Sequence, residues 1–253
     1  MFGGFFSNTQ SSVGFSPLDL NPFIWLDAAN GIIESAGAIS QWSDQSGNSN
    51  NFIQVAGTRQ PVLNSSDANF NSFPSVTFDG NNDVLGNAGL LLDNNFSEGV
   101  LIAVINTVDN SSQVVFSFNG SAKRKFTLQL GSAGGVDSFI SWNQVSGGGS
   151  GTYNSIDLDL NPLIFTQKYD GSEGLSINRI SQFINGVEII PNEVSVSTPS
   201  SITDSDTGVY IGNRDNASSL SFNGEIAELF YFKSLTPSNQ LKIETYLIDK
   251  YGF

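Results

Sequence analysis

Three sets of side chains in this sequence have residue types and spacing suited to chemistry. The first is Trp142-Asn143 at the lip of the loop Gly147 to Gly151, with Tyr153 beyond it. Sugar binding needs an aromatic face to stack on and an amide or carboxylate beside it, and this stretch supplies both. Trp142 reads equally well as core, because large aromatics dominate sandwich interiors. The second set is Asp157 and Asp159 in Ile156-Asp-Leu-Asp-Leu160. Residues two apart on a strand share a face, so the pair could hold the close carboxylates that glycoside hydrolysis requires. Such a pattern is more commonly the solvated face of an edge strand, and that is how we read it. The third set is acidic. Asp79, Asn81 and Asp83 are spaced like the opening of a calcium loop, and Asp204, Asp206 and Asp215 offer a second acidic loop. Both lack the glycine of an EF-hand loop. Asp and Asn also populate turns by bonding their own backbone, so we read plain turns first and calcium second.

Composition removes most other chemistries. The chain has no Cys and no His, which excludes disulfides, thiol catalysis, serine and cysteine triads and the commonest transition-metal ligand. Its 10 basic and 24 acidic residues give a net charge of −14, which argues against a nucleic-acid partner. No apolar run approaches the roughly 20 residues of a membrane span. The N-terminus lacks a positive n-region and an apolar h-region, so we expect a chain that has lost its signal or leaves the cell without one. The expectation is a binding or structural protein, not an enzyme, with no required cofactor.

These residues must be carried on strands. Short apolar runs alternate with Asp, Asn and Gly clusters, as in Phe23 to Leu26, Ile39 to Trp42, Ser75 to Phe78 and Phe126 to Leu130. Trp25 and Trp42 lie in such runs and read as core. Val100 to Ile105 is apolar throughout, as expected of a strand covered on both faces. Asn185-Gly186 between two apolar runs predicts a type I′ hairpin. Lys123 to Lys125 reads as a solvated turn.

Phe222 to Phe232 is the strand that completes the sheets. Strict alternation puts Ile226, Phe230 and Phe232 on one face and Ala227, Leu229 and Tyr231 on the other, with Glu225 and Glu228 on opposite faces. A short helix follows, capped by Thr236, with Pro237 in its first turn and Gly252 at its end. Residues 1–21 form a Gly/Ser/Asn-rich arm carrying Phe2, Phe5, Phe6 and Phe15, and residues 22–253 form the domain. Exposed Phe side chains on an arm suit docking on a partner, either other copies in a homo-oligomer or a larger shell.

From Pro22 to Gly252 the chain resembles the concanavalin A-like lectin/glucanase superfamily in its laminin-G-like form. The matching pieces are Phe23 to Ala28, Trp42-Ser-Asp-Gln-Ser-Gly-Asn48, Phe78-Asp-Gly-Asn-Asn-Asp83, Phe183-Ile-Asn-Gly-Val187, Tyr210-Ile-Gly212, Phe222-Asn-Gly-Glu-Ile-Ala-Glu228 and Lys250-Tyr-Gly252. The resemblance implies an all-β, antiparallel two-sheet jelly-roll sandwich with one short C-terminal helix. It also implies a calcium ion at a loop rim as family precedent, and functions ranging from lectin and adhesion module to glycosidase and spacer. The glycosidase branch carries a Glu-x-Asp-x-x-Glu string, which this sequence lacks. The leading expectation is a phage virion surface protein, a decoration, fibre or adhesion component able to bind glycans. A secreted bacterial carbohydrate-binding module is the alternative, and a glycoside hydrolase the distant one.

Overall fold

The computed structural model describes residues 14–90, 96–108, 111–120, 123–133, 136–142, 151–155, 161–189, 193–194, 198–202, 208–215 and 220–253. Among them the chain forms β1 (Ile24–Asp27), β2 (Ile32–Ser35), β3 (Ala38–Trp42), β4 (Phe52–Ile53), β5 (Val62–Asn64), β6 (Ser75–Asp79), β7 (Leu85–Asn87), β8 (Glu98–Thr107) and β9 (Gln113–Gly120). These are followed by β10 (Lys123–Ala133), β11 (Val136–Trp142), β12 (Gly151–Ser155), β13 (Leu163–Asp170), β14 (Ile180–Ile184), β15 (Val187–Ile189), β16 (Glu193–Val194), β17 (Val209–Ile211), β18 (Asn223–Phe232) and α1 (Pro237–Tyr251).

The strands form two antiparallel sheets joined at a corner by β3, which has β2 along one side and on the other pairs with β5 at its start, Ala38, and with β4 at its end, Gln41 and Trp42. The first sheet runs β5–β6–β18–β8–β13–β14–β15, with β1 taking over from β6 along the second half of β18. The second runs β4–β7–β17–β9–β10–β11–β12–β16. Their facing surfaces make one core: the Phe126 and Phe116 rings of the second sheet lie 5.8 and 6.3 Å from the Tyr231 ring of the first. This is the expected jelly-roll sandwich.

The first sheet is covered on its other face as well. Val100, Ile102 and Val104 of β8 pack against Ile243 and Leu247 of α1, while Leu101, Ala103 and Ile105 enter the inter-sheet core. Both faces of β8 and β18 are therefore dry, which is why their sequences are apolar at nearly every position. The helix has the predicted caps: Thr236 Oγ1 accepts from the Asn239 amide at 3.3 Å, and Gly252 turns left-handed at φ 80° and donates to Ile248 O. Asn185 and Gly186 have φ 49° and 78°, as a type I′ turn demands.

Two readings need correction. β18 does not alternate strictly. Its register with β8 goes from Ile226–Ile105 to Glu228–Val104, so Ala227 is an extra residue, a β-bulge whose carbonyl accepts from Ala28 N. Past the bulge the faces exchange: Ile226 joins Leu229 and Tyr231 in the inter-sheet core, and Ala227 joins Phe230 and Phe232 under the helix. The same shift puts Glu225 and Glu228 on one face, the helix side, and not on opposite faces. The second correction concerns Lys123 to Lys125. Their backbone begins β10, with Lys123 opposite Gly120 and Arg124 opposite Asn119, so they are strand and not turn.

Candidate functional sites

On the outer face of the second sheet, the register lines up one residue from each strand. Ile53 faces Gly86, Gly86 faces Tyr210, Tyr210 faces Ser117, Ser117 faces Thr127, and Thr127 faces Trp142. Tyr153 of β12 pairs with Ile140, two residues from Trp142, so it is a diagonal neighbour on the same face. Trp142 and Tyr153, chosen from the sequence for their proximity to a loop, thus hold neighbouring register positions on paired strands. Asn143 lies outside the described residues.

Alternation explains Tyr210, which the sequence reading left as an ordinary strand residue. Val209 and Ile211 point into the core, so Tyr210 must point out. Gly86 lies flat beneath its ring: a Cβ there would be 2.9 Å from Tyr210 Cδ1. The ring edges a small cleft of about 150 Å³ lined by Ile53, Gln54, Val55, Val84, Gly86 and Ala88. Ile53 and Val55 are largely exposed at its rim. Burial, and then the nearby Asp215 carboxylate, raise the Tyr210 hydroxyl pKa, so it stays a neutral donor and acceptor. In the middle of the row Ser117 and Thr127 are buried and bond each other at 3.3 Å. Ligand access among the described side chains is therefore at the Tyr210 end.

The Asp79 loop is built as turns. Asp79 Oδ1 accepts from the Asn81 and Asn82 amides at 2.8 and 3.3 Å, and Asp83 Oδ2 accepts from the Asp79 amide at 3.0 Å. Burial and the adjacent Asp79 charge push Asp83 up to about 6, although the Asp79 amide bond and Arg59 pull the other way. Asp215 holds Arg214 at 3.2 Å, and Asp204 and Asp206 lie outside the described residues. Among the described residues, no cluster of three or more acidic side chains is placed to hold a metal. Asp157 and Asp159 are likewise outside the described residues.

The structure adds a third cluster. Asp27 of β1 and Glu228 of β18 are directly opposite in register, on the face that α1 covers. Like charges opposite each other destabilise a sheet unless a cation joins them. Lys250, from the last turn of α1, supplies it at 2.7 Å from Glu228 Oε2 and 3.3 Å from Asp27 Oδ2, with side-chain exposures of 12%, 0% and 6% for Lys250, Glu228 and Asp27. Glu228 also accepts from Trp25 Nε1 at 2.7 Å, Tyr251 OH at 2.9 Å and Tyr246 OH at 3.5 Å. Trp25, read as core, does stack on Phe230 but spends its N–H on this carboxylate. Trp42 is fully buried. One signal in the sequence could have found the cluster: an acid inside a strand with two apolar faces needs a buried partner.

Phe15, read as part of the docking arm, packs edge-on against Tyr246 of its own helix at 6.0 Å. With Leu20, Leu241 and Thr245 it lines a groove of about 570 Å³ where the arm meets α1. Phe2, Phe5 and Phe6 lie outside the described residues.

A scan against protein-family models finds no match, and a search of curated proteins finds none. Solved structures do resemble the chain. A structure of botulinum neurotoxin type C, whose cell entry depends on interaction with two ganglioside molecules, aligns over 92% of this chain and 53% of that one, at 14% identity and TM-score 0.53. An arabinofuranosidase complexed with arabinofuranosyl-alpha-1,2-xylobiose aligns over 85% and 51%, at 11% identity and TM-score 0.51. Domain 4 of an extracellular arabinanase from Geobacillus stearothermophilus aligns over 90% and 98%, at 15% identity and TM-score 0.48. This chain spans about half the length of the first two. The first two likenesses accord with the jelly-roll sandwich fold and show the fold alone. No helix among the described residues is long and apolar enough to cross a membrane.

Proposed function

We propose that this protein is a non-enzymatic glycan-binding module that engages sugar rings on the outer face of its second sheet. The observation that carries the reading is the cross-strand row with Tyr210 at one end and Trp142, flanked by Tyr153, at the other. Three strand steps of roughly 4.8 Å separate the ends, about 14 Å, so the two aromatics suit separate rings of one oligosaccharide. Aromatic platforms with few polar groups bind sugars weakly, and a free module of this kind gains from several copies acting together. The fold neighbours include a ganglioside-dependent toxin and an arabinofuranosidase, which accords with a sugar ligand.

We propose no hydrolysis, because the sequence lacks the Glu-x-Asp-x-x-Glu string of the glycosidase branch. The cross-strand carboxylates Asp27 and Glu228 are sealed beneath α1, where no substrate reaches them. The setting we propose is a virion surface, with the arm holding the module to its own copies or to a shell. That part rests on the sequence, and a bacterial cell surface is the other setting.

Glycan-array screening with and without chelator tests both sugar and calcium. The expected result is retention of particular oligosaccharides, and a loss of about 1–2 kcal/mol, roughly tenfold in affinity, in Tyr210→Ala and in Trp142→Ala. Binding equal to wild type in both variants, or no glycan retained at all, would overturn the proposal. Turnover of a β-glucan would overturn its non-enzymatic part.

A further inference from the structure

We propose that Lys250 and Asp27 condense into an intramolecular amide, with Glu228 moving the protons, so that the C-terminal helix becomes covalently bonded to the first strand. The three groups meet in the dry layer between the first sheet and α1. The ammonium is surrounded by aromatic rings, with Nζ 5.1, 5.5 and 5.7 Å from the ring centres of Tyr251, Phe73 and Tyr246. Bulk water, which drives amides back to amine and acid, reaches the reacting atoms only at the margin, where Lys250 keeps 12% and Asp27 6% of its side-chain surface exposed.

The two carboxylates have different surroundings, and these assign their roles. Glu228 receives four donors, Trp25 and Tyr246 on Oε1, Lys250 and Tyr251 on Oε2. It is held firmly in place as a proton carrier. Asp27 is bonded by the Ala29 amide on Oδ1 at 2.9 Å and by Asn30 Nδ2 on Oδ2 at 2.8 Å, with Lys250 beside Oδ2. The Ala29 N–H is thus aimed at the oxygen that carries negative charge in a tetrahedral intermediate, and Oδ2 is the oxygen beside the incoming nitrogen.

The step balances without any outside reagent. The Lys250 ammonium passes one proton to Glu228, which delivers it to Asp27 Oδ2. The freed amine attacks Asp27 Cγ and forms the N–C bond, with Oδ1 held by Ala29 N–H. Glu228 takes a second proton from the nitrogen and gives it to Oδ2, the Cγ–Oδ2 bond breaks, and one water leaves. An ammonium and a carboxylate become a neutral amide, which removes two charges from a site where charge is costly to hold. Burial raises the Glu228 pKa, as a proton carrier needs. Burial lowers the Lys250 pKa, but Glu228 and Asp27 more than offset it, so the ammonium is the resting form and the amine forms only as a proton passes along the 2.7 Å hydrogen bond to Glu228.

Intact mass spectrometry of the full chain under denaturing conditions reads the outcome directly. The expected mass is that of the sequence less one water, with fragmentation joining the Asp27 peptide to the Lys250 peptide. Lys250→Arg keeps the positive charge but has no amine to acylate, and should show the full sequence mass. Asp27→Asn in the same site should lose one ammonia instead of one water, and Glu228→Gln should leave most of the chain unreacted. A wild-type chain at full sequence mass after prolonged incubation at neutral pH would overturn the proposal. So would a water loss that persists in Lys250→Arg, or one that fragmentation places elsewhere, such as a cyclic imide at Asp79-Gly80.

Discussion

Lys250→Met leaves Glu228 as a buried carboxylate without its cation, and the decisive comparison is between that variant and the double variant Lys250→Met/Glu228→Gln. Neither can form an amide with Asp27, so the comparison isolates the charge. Glu228 has no exposed surface. Removing one partner of a buried pair costs about 3–5 kcal/mol, chiefly because the other charge is stranded. Trp25, Tyr246 and Tyr251 still donate to it, so the low end, about 3 kcal/mol, applies here. A glutamine at 228 removes the charge and keeps the shape: its oxygen can accept from Trp25, and the Tyr251 hydroxyl can rotate to accept from its amide. The second substitution should therefore restore about 2–3 kcal/mol at pH 8, measured by urea unfolding with unchanged m-values.

The effect must also depend on pH. Burial raises the Glu228 pKa, and loss of Lys250 raises it further by removing the attraction that lowers it. A carboxyl whose folded pKa lies above its unfolded one binds more protons when folded, so stability falls as pH rises between the two values. Lys250→Met should be penalised least at acid pH, below the ordinary glutamate range, and most above the raised folded value. The gain from adding Glu228→Gln should vanish at the acid end. If the double variant is no more stable than the single at pH 8, or if the gap is the same at both ends, Glu228 is not a stranded charge and the cluster has been misread.

Much of the architecture is legible because each covered face leaves its own period in the sequence. Val100 to Ile105 is apolar throughout because the inter-sheet core takes one set of its side chains and α1 the other. Asn185-Gly186 is legible because positive φ at both turn positions leaves few residue choices. The bulge at Ala227 is not. Bulges in general need no particular residue, and here a single extra alanine reverses every assignment after it, which is why Glu225 and Glu228 were set on opposite faces. The cluster that Glu228 belongs to is distributed over residues 27, 228 and 250, and only long-range pairing brings them together. The aromatic row has the same character. Trp142 and Tyr153 are near neighbours in sequence, but Tyr210 joins them through two intervening strands that no local pattern specifies.

Three further outcomes are expected. Asp83→Asn should flatten the pH dependence of stability between the ordinary Asp range and about pH 6, and should make the protein more stable than wild type at pH 7, since a raised folded pKa means stability lost as pH climbs through that window. A pH titration of unfolding that is unchanged by the substitution would refute this. Gly212→Ala should cost about 2–4 kcal/mol in urea unfolding, because Gly212 sits at φ 83° and a methyl there meets the Phe78 ring. A cost below about 1 kcal/mol would show that the ring can move aside. The arm should divide at residue 14. Phe15 and Leu20 pack against the helix cluster, and the 3₁₀ turn at Pro17–Leu20 is fixed by a capping box between Ser16 and Asp19. Removing residues 1–21 should therefore lower stability by about 1–2 kcal/mol for two half-buried side chains, whereas removing residues 1–13 should leave it unchanged. Phe2, Phe5 and Phe6 belong to the segment removed in both cases, so both truncations should lose the self-association that we assign to them. Analytical ultracentrifugation of the full chain and of residues 14–253 separates these effects. If residues 14–253 unfold earlier than the full chain, the arm's first half belongs to the domain, and if they associate as the full chain does, its phenylalanines are not what joins the copies.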